Sequence, residues 1–320
     1  MKLSSITPDI IENGQFRIAF SAMGTNCEIS YTATSENQAF SFREKTLNWI
    51  NYFENRYSRY LPKSLISKIN NSAGIQPVKI TEEDYRLFNF CDTLHFLTKG
   101  IFDPTTLPLS KIWDFKSKDP TVPPKFIIEE ALSKIGWKKV VFDEDYTFLP
   151  ESGMGIDLGG FGKEYAVDRV IELAKEHEIS SALVNLGGDV RSIGSPPNSD
   201  FWRIGIEDPN FKGQARFALI ANNLAVATSG NYQRYFESNG VRYGHLLNHQ
   251  TGYPTTSSYL SASVVAKTCL EAGILSTCSL LDGKESGLKI IEDYFGAEGC
   301  LWTKNGISWS KNFTSHIAKN

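Results

Sequence analysis

The residue pattern predicts a fold that mixes α-helices with β-strands, arranged as one large domain or two. Three observations lead there. A chain of 320 residues with 41% hydrophobic content can bury a large interior. Helical faces recur between Ser35 and Ile135, whereas the chain turns strand-rich beyond Phe201. Between them, Gly155-Ile-Asp-Leu-Gly-Gly-Phe-Gly-Lys-Glu-Tyr-Ala-Val-Asp168 joins a weakly apolar run to a strong helix through three glycines in four residues.

Taken in order, Phe16 to Tyr31 roughly alternates apolar and polar residues around Met23-Gly24-Thr25, which predicts two strands with a turn or bulge at the glycine. Ser35 with Gln38 resembles a capping box, and Phe40, Leu47, Ile50, Phe53 and Tyr57 share one helical face. Pro62 ends that helix, and a short polar segment should follow as far as Asn70. A second helix starts near Thr81, with Glu82 and Glu83 favourable in its first turn. Leu87, Phe90, Cys91 and Leu94 would line its buried side, and His95 reads as a packed or surface histidine in preference to a ligand. Gly100 to Leu109 is too rich in proline for regular structure; it is a ligand wall or an ordinary packed connection. Lys116 to Pro124 reads as an exposed excursion, followed by a short helix (Phe126 to Ile135) and a strand (Val140 to Phe142).

The helix entered from the glycine stretch should end near His177. A buried strand from Ser181 to Asn185 then runs into a second glycine turn, Leu186-Gly-Gly-Asp-Val190. Strands are expected at Phe201–Ile206, Arg216–Ile220, Leu224–Thr228 and Ser261–Ala266. Thr268 to Leu281 reads as a mostly buried helix, with Gly273 at its centre costing about 1 kcal/mol relative to alanine.

Composition excludes several functions. A net charge of −3 leaves no basic footprint for nucleic acid. Five cysteines without C-x-x-C spacing favour packed, reduced thiols over disulfides or a zinc site. Met1 to Gly14 has no apolar signal core, no cysteine placed for lipid attachment is apparent, and no run approaches the ~18 apolar residues of a membrane span, so a cytoplasmic protein is expected.

The glycine stretch suits a phosphate or nucleotide cradle: amides can approach a ligand closely and a helix opens directly afterwards. It can equally be a tight strand-to-helix turn. A P-loop would need glycine at Asp157 and Ser or Thr at Glu164, and a dinucleotide fingerprint would need glycine at Tyr165. A strand–helix–strand unit with glycine turns at both ends is a common nucleotide holder. His245 and His249 are four apart, but the zincin glutamate is missing and Gly252 and Pro254 oppose a helix, so zinc is set aside.

The order of motifs is more specific than any one of them. Ala22-Met-Gly-Thr25, Gly100-Ile-Phe-Asp-Pro-Thr105 with Pro108-Leu109, Asp157-Leu-Gly-Gly, Lys163, Tyr165-Ala-Val-Asp168, Asn185-Leu-Gly-Gly, Thr228-Ser-Gly, His245 with Thr251-Gly252, and Thr277 follow one another from about Ile18 to Asp282. The series resembles the FAD:protein FMN transferase (ApbE) family. The resemblance implies a single α+β domain of mixed sheets flanked by helices, here residues 16–320 after an extension of 1–15. It implies FAD as substrate and magnesium as cofactor. FMN would be attached through a phosphoester to a Ser or Thr of a flavoprotein bearing an Asp-x-x-Ser/Thr-Gly-Ala-Thr type motif, with release of AMP. By position, Met23, Tyr60, Ile101, Phe102, Asp103, Asp157, Lys163 and Leu247 match the family's FAD contacts. The metal would lie near the Gly160 carbonyl and the Thr277 hydroxyl, and His245 would be the general base.

Those types suit that chemistry. A hard cation on oxygen ligands, Lys163 and the amides around Gly160 would offset phosphoryl charge, and neutral histidine can accept a hydroxyl proton near pH 7. Four family acids are missing, however. Gly273 stands where an aspartate usually ligates the magnesium, Asn248-His249 replaces Asp-Pro, Leu65 replaces the acid after Ser64, and Asn231 ends Thr-Ser-Gly-Asp. Glu271 lies about 200° away around the helix at ~100° per residue and replaces the first poorly. An aspartate restored at 273 should therefore strengthen magnesium binding. The alternatives are a weakened FAD-binding protein or an FAD pyrophosphatase giving FMN and AMP.

Overall fold

The computed structural model describes residues 9–10, 14–115, 117, 119–211, 213–231, 235–255, 258–282 and 287–319. Most of the N-terminal stretch read for a signal, and Lys116 and Lys118 of the expected excursion, lie outside the described residues.

The chain opens with β1 (Asp9–Ile10), β2 (Gln15–Ala22) and β3 (Thr25–Thr32). β2 and β3 alternate buried and open residues and are joined by a two-residue turn at Met23-Gly24, with Ala22 opposite Thr25. Helix α1 (Glu36–Tyr57) follows, its first turn held by Ser35 Oγ accepting from the Gln38 amide. The reciprocal half of the expected box is displaced by one residue, because Gln38 Oε1 accepts from Thr34 N at 2.8 Å. The buried face is Ala39, Phe42, Leu47, Ile50, Phe53 and Tyr57, with Phe40 only half-buried.

The segment expected to be merely polar is a helix, α2 (Leu65–Asn71). Ser64 caps it by accepting from Ser67 N, and Leu65, Ile66 and Ile69 are buried, which outweighs its polar composition. After β4 (Val78–Lys79), α3 (Glu82–Leu97) starts at a Thr81–Asp84 capping box. Its inner face is Leu87, Phe88, Cys91 and Leu94; Phe90 points outward, 45% exposed, because Phe88 takes the i+1 position of that stripe. The proline-rich loop contains a short helix, α4 (Leu107–Ile112), with Pro108 in the first turn, where a missing amide costs nothing. Then come α5 (Lys125–Ser133), β5 (Val141–Phe142) and β6 (Tyr146–Phe148), the last two forming a small sheet with β4.

The remaining elements are α6 (Gly162–Glu176), β7 (Ala182–Leu186), β8 (Asp189–Ile193), β9 (Trp202–Glu207), β10 (Ala215–Ala221), β11 (Ala225–Gly230), β12 (Tyr235–Ser238), β13 (Val241–Gly244), β14 (Tyr259–Ala266), α7 (Cys269–Leu281), α8 (Gly287–Glu292), β15 (Glu298–Thr303) and β16 (Gly306–Trp309). One sheet runs β1-β2-β3-β7-β8-β11-β14-β15-β16, and every described ladder in it is antiparallel. Alternate residues of β11 and β14 face opposite sides. Ala227 and Val264 pack with Ala272 and Leu275 of α7, while Val226 and Val265 pack with Ile204 and Leu219 of the β9–β10 pair. Ile18, Ile29 and Val184 of the sheet form a further core with Phe42 of α1 and Val170 of α6. The architecture is a single α+β domain.

The expected strand–helix–strand nucleotide unit is not present in that form. No strand leads directly into α6, and β7 pairs antiparallel with β3 and β8, so α6 is no parallel crossover. The second glycine turn is instead a β7–β8 hairpin tip. All five cysteines are buried free thiols. No helix among the described residues is long and apolar enough to cross a membrane.

Candidate active site

Two hairpin tips meet at one end of the large sheet. Because β3 pairs with β7, Met23-Gly24 and Gly187-Gly188 are neighbours, linked by Gly187 N donating to Asn26 O at 3.0 Å. Gly187 has φ +71°, and a Cβ there would lie 2.5 Å from Thr25 Oγ1, so glycine is required. Met23 has no such exemption. It holds φ 51° with its amide donating to Glu54 Oε1 at 2.9 Å. The two-residue hairpin turn requires positive φ at both Met23 and Gly24, and at the non-glycine position this costs about 1–2 kcal/mol.

β8 begins with Asp189 at this same end, and its buried carboxylate pairs with Lys163 Nζ from the first turn of α6. Lys163 Nζ is also 3.9 Å from Glu164 Oε1. Burial alone would lower the lysine; the charges of Glu164 and Asp189 outweigh it and hold the ammonium above its ordinary value. Glu164 is raised as well, but toward its neutral form: burial pushes its carboxyl up, against the pull of Lys163. In the sequence Asp189 is only part of a glycine turn and Glu164 only a mismatch to a P-loop, so neither has a role legible there.

None of Gly155, Gly159, Gly160 and Gly162 adopts positive φ, so left-handed backbone is not why glycine occurs in that stretch. Close approach is. A Cβ on Gly155 would lie 2.7 Å from Leu107 Cδ2, and one on Gly159 would lie 3.1 Å from Asp157 Oδ1. The Asp157 carboxylate accepts from Gly159 N at 2.9 Å and pairs with Arg59 Nε at 2.7 Å. Arg59, which the sequence did not single out, lies 4.2 Å from the centre of the Tyr60 ring and presents that ring to solvent, 68% exposed. Asp157 N donates to Pro104 O, which ties the stretch to the 101–105 loop.

In that loop Asp103 is almost wholly occupied by its own chain. Oδ1 accepts from Thr105 N and Oγ1 at 2.7 and 2.5 Å, and Oδ2 accepts from Trp137 N at 3.0 Å. Phe102 packs edge-on to Phe161, with its ring nearest the exposed Gly160. Ile101 packs, half-buried, into the same cluster as Phe102. His95 is a packed histidine, as expected, with Nδ1 2.9 Å from Phe102 O.

A second group gathers along α7. Asp168 accepts from the Cys269 and Leu270 amides at 2.8 and 2.9 Å and pairs with Arg191, which docks the start of α7 onto α6 and β8. One turn apart on α7 stand Gly273 and the half-buried Thr277. Ser229, at the end of β11, bridges Ser276 Oγ and Thr277 Oγ1 at 2.8 Å each. Ser276 Oγ in turn donates to Gly273 O.

Two residues past Ser229, the Asn231 side chain abuts Gly244 so closely that a Cβ there would overlap it. His245 follows, half-buried, on a segment that runs beside α7 through Leu246 and the Thr255 Oγ1 bond to Leu280 O. Leu247 pairs with Pro254 and packs on the aromatic cluster around Trp113. Asn248 closes the intervening loop by accepting from Gln250 N and Thr251 N. His249 sits near Asp103, and burial holds its imidazole below the ordinary value against the opposing charge of that acid.

Among the described residues, no three His, Cys, Asp or Glu side chains form a metal cluster. Oxygen donors do lie along α7: the Ser229, Ser276 and Thr277 hydroxyls bond to one another, and one turn from Thr277 the Glu164 carboxylate faces Gly273. Oxygen donors of this kind suit a hard cation. A surface depression of about 510 Å³ lined by Arg56, Lys63, Lys68 and Lys79 shares no residue with this arrangement.

The ApbE family model matches residues 23–301. A FAD:protein FMN transferase of Klebsiella pneumoniae is 29% identical over 290 residues, covering 90% of this chain and 89% of that protein. Another of that name, from Chlamydia pneumoniae, is 31% identical over 251 residues, covering 77% of this chain and 78% of its own length. The crystal structure of an ApbE protein from Thermotoga maritima superposes with a TM-score of 0.86 at 32% identity, over 95% of this chain and 100% of that one.

Proposed function

The chain belongs to the ApbE family, and on that premise we propose that it transfers FMN from FAD to a protein hydroxyl, with residues 16–320 as the transferase domain. The observation that carries this reading beyond similarity is Lys163. The ammonium is held by Asp189 beside two amide-rich hairpin tips and the Gly159-Gly160 backbone. An ammonium fixed in this way can donate to phosphoryl oxygens without reorganisation.

In the proposed reaction the Ser or Thr oxygen of an acceptor attacks the FMN-side phosphorus. The bond from that phosphorus to the AMP oxygen breaks, AMP departs, and His245 takes the hydroxyl proton. The acceptor would present an Asp-x-x-Ser/Thr-Gly-Ala-Thr type motif. Met23, Tyr60, Ile101, Phe102, Asp103, Asp157 and Leu247 would position FAD. Tyr60 offers an open ring face, Asp103 and Asp157 fix the two loops, and the strained Met23 backbone sets the hairpin tip. Magnesium, when bound, would neutralise charge on the phosphoryl oxygens. Gly160 and Thr277 would hold it with oxygen donors.

The test is incubation with FAD and an acceptor protein carrying the motif, with magnesium or with EDTA, followed by chromatography for AMP and mass spectrometry of the acceptor. Magnesium-dependent AMP with FMN on the acceptor is expected. AMP without acceptor labelling would replace transfer by hydrolysis, and retained intact FAD in every arm would leave a binding protein.

A further inference from the structure

Glu164 sits in the first turn of α6 with its side chain only 9% exposed, and its Oε2 has no hydrogen-bond partner among the described residues. The nearest cation, Lys163, is 3.9 Å from the other oxygen and is engaged more closely by Asp189. The Glu164 side chain occupies the space in front of Gly273: a Cβ on that glycine would lie 2.5 Å from Glu164 Cγ and 2.9 Å from Oε1. Only glycine at 273 admits it. One turn further along α7 stands Thr277, whose hydroxyl is already tied to Ser229.

A carboxylate oxygen left unpaired in a buried site calls for a cation or a proton. We propose that Glu164 is the side-chain ligand of the divalent cation, delivered from α6 across the gap at Gly273 in place of an aspartate carried by α7. This rests on the metal-dependent transferase reading above. The acid has changed helix while keeping its place.

The test measures metal affinity, apart from turnover. Manganese binding is followed by loss of the free-ion electron paramagnetic resonance signal, using protein with saturating FAD and FAD alone as the blank. Wild type should bind one ion. Glu164→Gln, which preserves shape, should weaken binding by about tenfold or more, the range seen even for groups one step removed from a metal. Glu164→Gly should lose it, and Glu164→Gly with Gly273→Asp should recover most of the loss. Thermal melts by circular dichroism establish that each variant is folded, and the near-isosteric Gln variant remains informative if the Gly variant is not. Equal manganese affinity in wild type and Glu164→Gln would overturn the assignment of Glu164 alone. A wild type that binds no manganese would overturn this inference and the metal-dependent reading together.

Discussion

The geometry at Gly273 predicts a change of sign that stability measurements can read. In an isolated helix interior, Gly→Ala stabilises by about 1 kcal/mol. Here the new methyl would come within 2.5 Å of Glu164 Cγ and 2.9 Å of Oε1, closer than van der Waals contact allows. Overpacking of this sort costs about 1–3 kcal/mol, because a buried side chain must leave its rotamer. Gly273→Ala should therefore leave the protein unchanged or destabilise it by up to roughly 2 kcal/mol. With Glu164→Ala already in place, the obstacle is gone and the same substitution should stabilise by about 1 kcal/mol. The coupling between the two sites is then about 1–3 kcal/mol, well within what a double-mutant cycle resolves. Urea midpoints at constant slope supply the four values. If Gly273→Ala stabilises both backgrounds equally, Glu164 does not lie against Gly273, and the assignment of its carboxylate fails with it. The clash also revises the expectation that an aspartate at 273 would simply strengthen magnesium binding, since that side chain enters space Glu164 occupies.

Three further outcomes follow from the same structure. Asp84, fully buried, accepts from Arg56, Tyr57 and Thr81; burial would raise its carboxyl, but these bonds outweigh it and hold it below the ordinary value. A depressed folded pKa gives stability that is complete above the unfolded value of about 3.9 and is lost as pH falls through the folded one, so Asp84→Asn should cost about 2–4 kcal/mol at pH 7 and visibly flatten the acid limb of a urea-midpoint series. Lys163→Met should slow AMP formation by about 10²–10³-fold, by analogy with removing one fixed electrostatic donor, whereas an unchanged rate by chromatography would remove Lys163 from the phosphoryl site. His245→Ala should slow transfer to the acceptor by about 10²–10⁴-fold with manganese affinity unchanged, and loss of metal binding would instead make it part of the metal site.

Local chemistry made much of the fold legible. Alternation gave β2 and β3, Ser35 and Thr81 marked two helix starts, and the helical run after Gly162 ended at His177 as read. Burial decided the cases that propensity could not. α2 is polar by composition yet hides Leu65, Ile66 and Ile69, and Phe88, two positions earlier, takes the core place expected for Phe90. The glycine-rich centre is plain in the sequence, but the reason for its glycines is not. Close approach to Leu107 and Asp157 depends on residues about 50 positions away or on a side-chain turn, neither of which has a sequence period. The same holds for the Lys163–Asp189 and Arg59–Asp157 pairs, which join elements distant in the chain.

The four missing acids show why a motif departure has to be judged in space. Leu65 is a buried residue of the first turn of α2, beside the Ser64 cap, and its replacement of an acid serves packing. Asn231 lies against Gly244, one residue before His245, where the amide meets the hairpin. Asn248 folds its own loop by accepting two amides, a task in which a neutral acceptor suffices. Among the described residues, none of these three side chains is bonded to the hydroxyls around Thr277. Gly273 is, through Ser276, and it is the position at which the side chain of an acid from another helix fills the space. Charge at a metal site is set by which carboxylates reach it, whatever helix they leave from. On the proposal that Glu164 ligates the cation, the loss at 273 is offset from α6, at a residue whose only signal in the sequence is a mismatch to a P-loop.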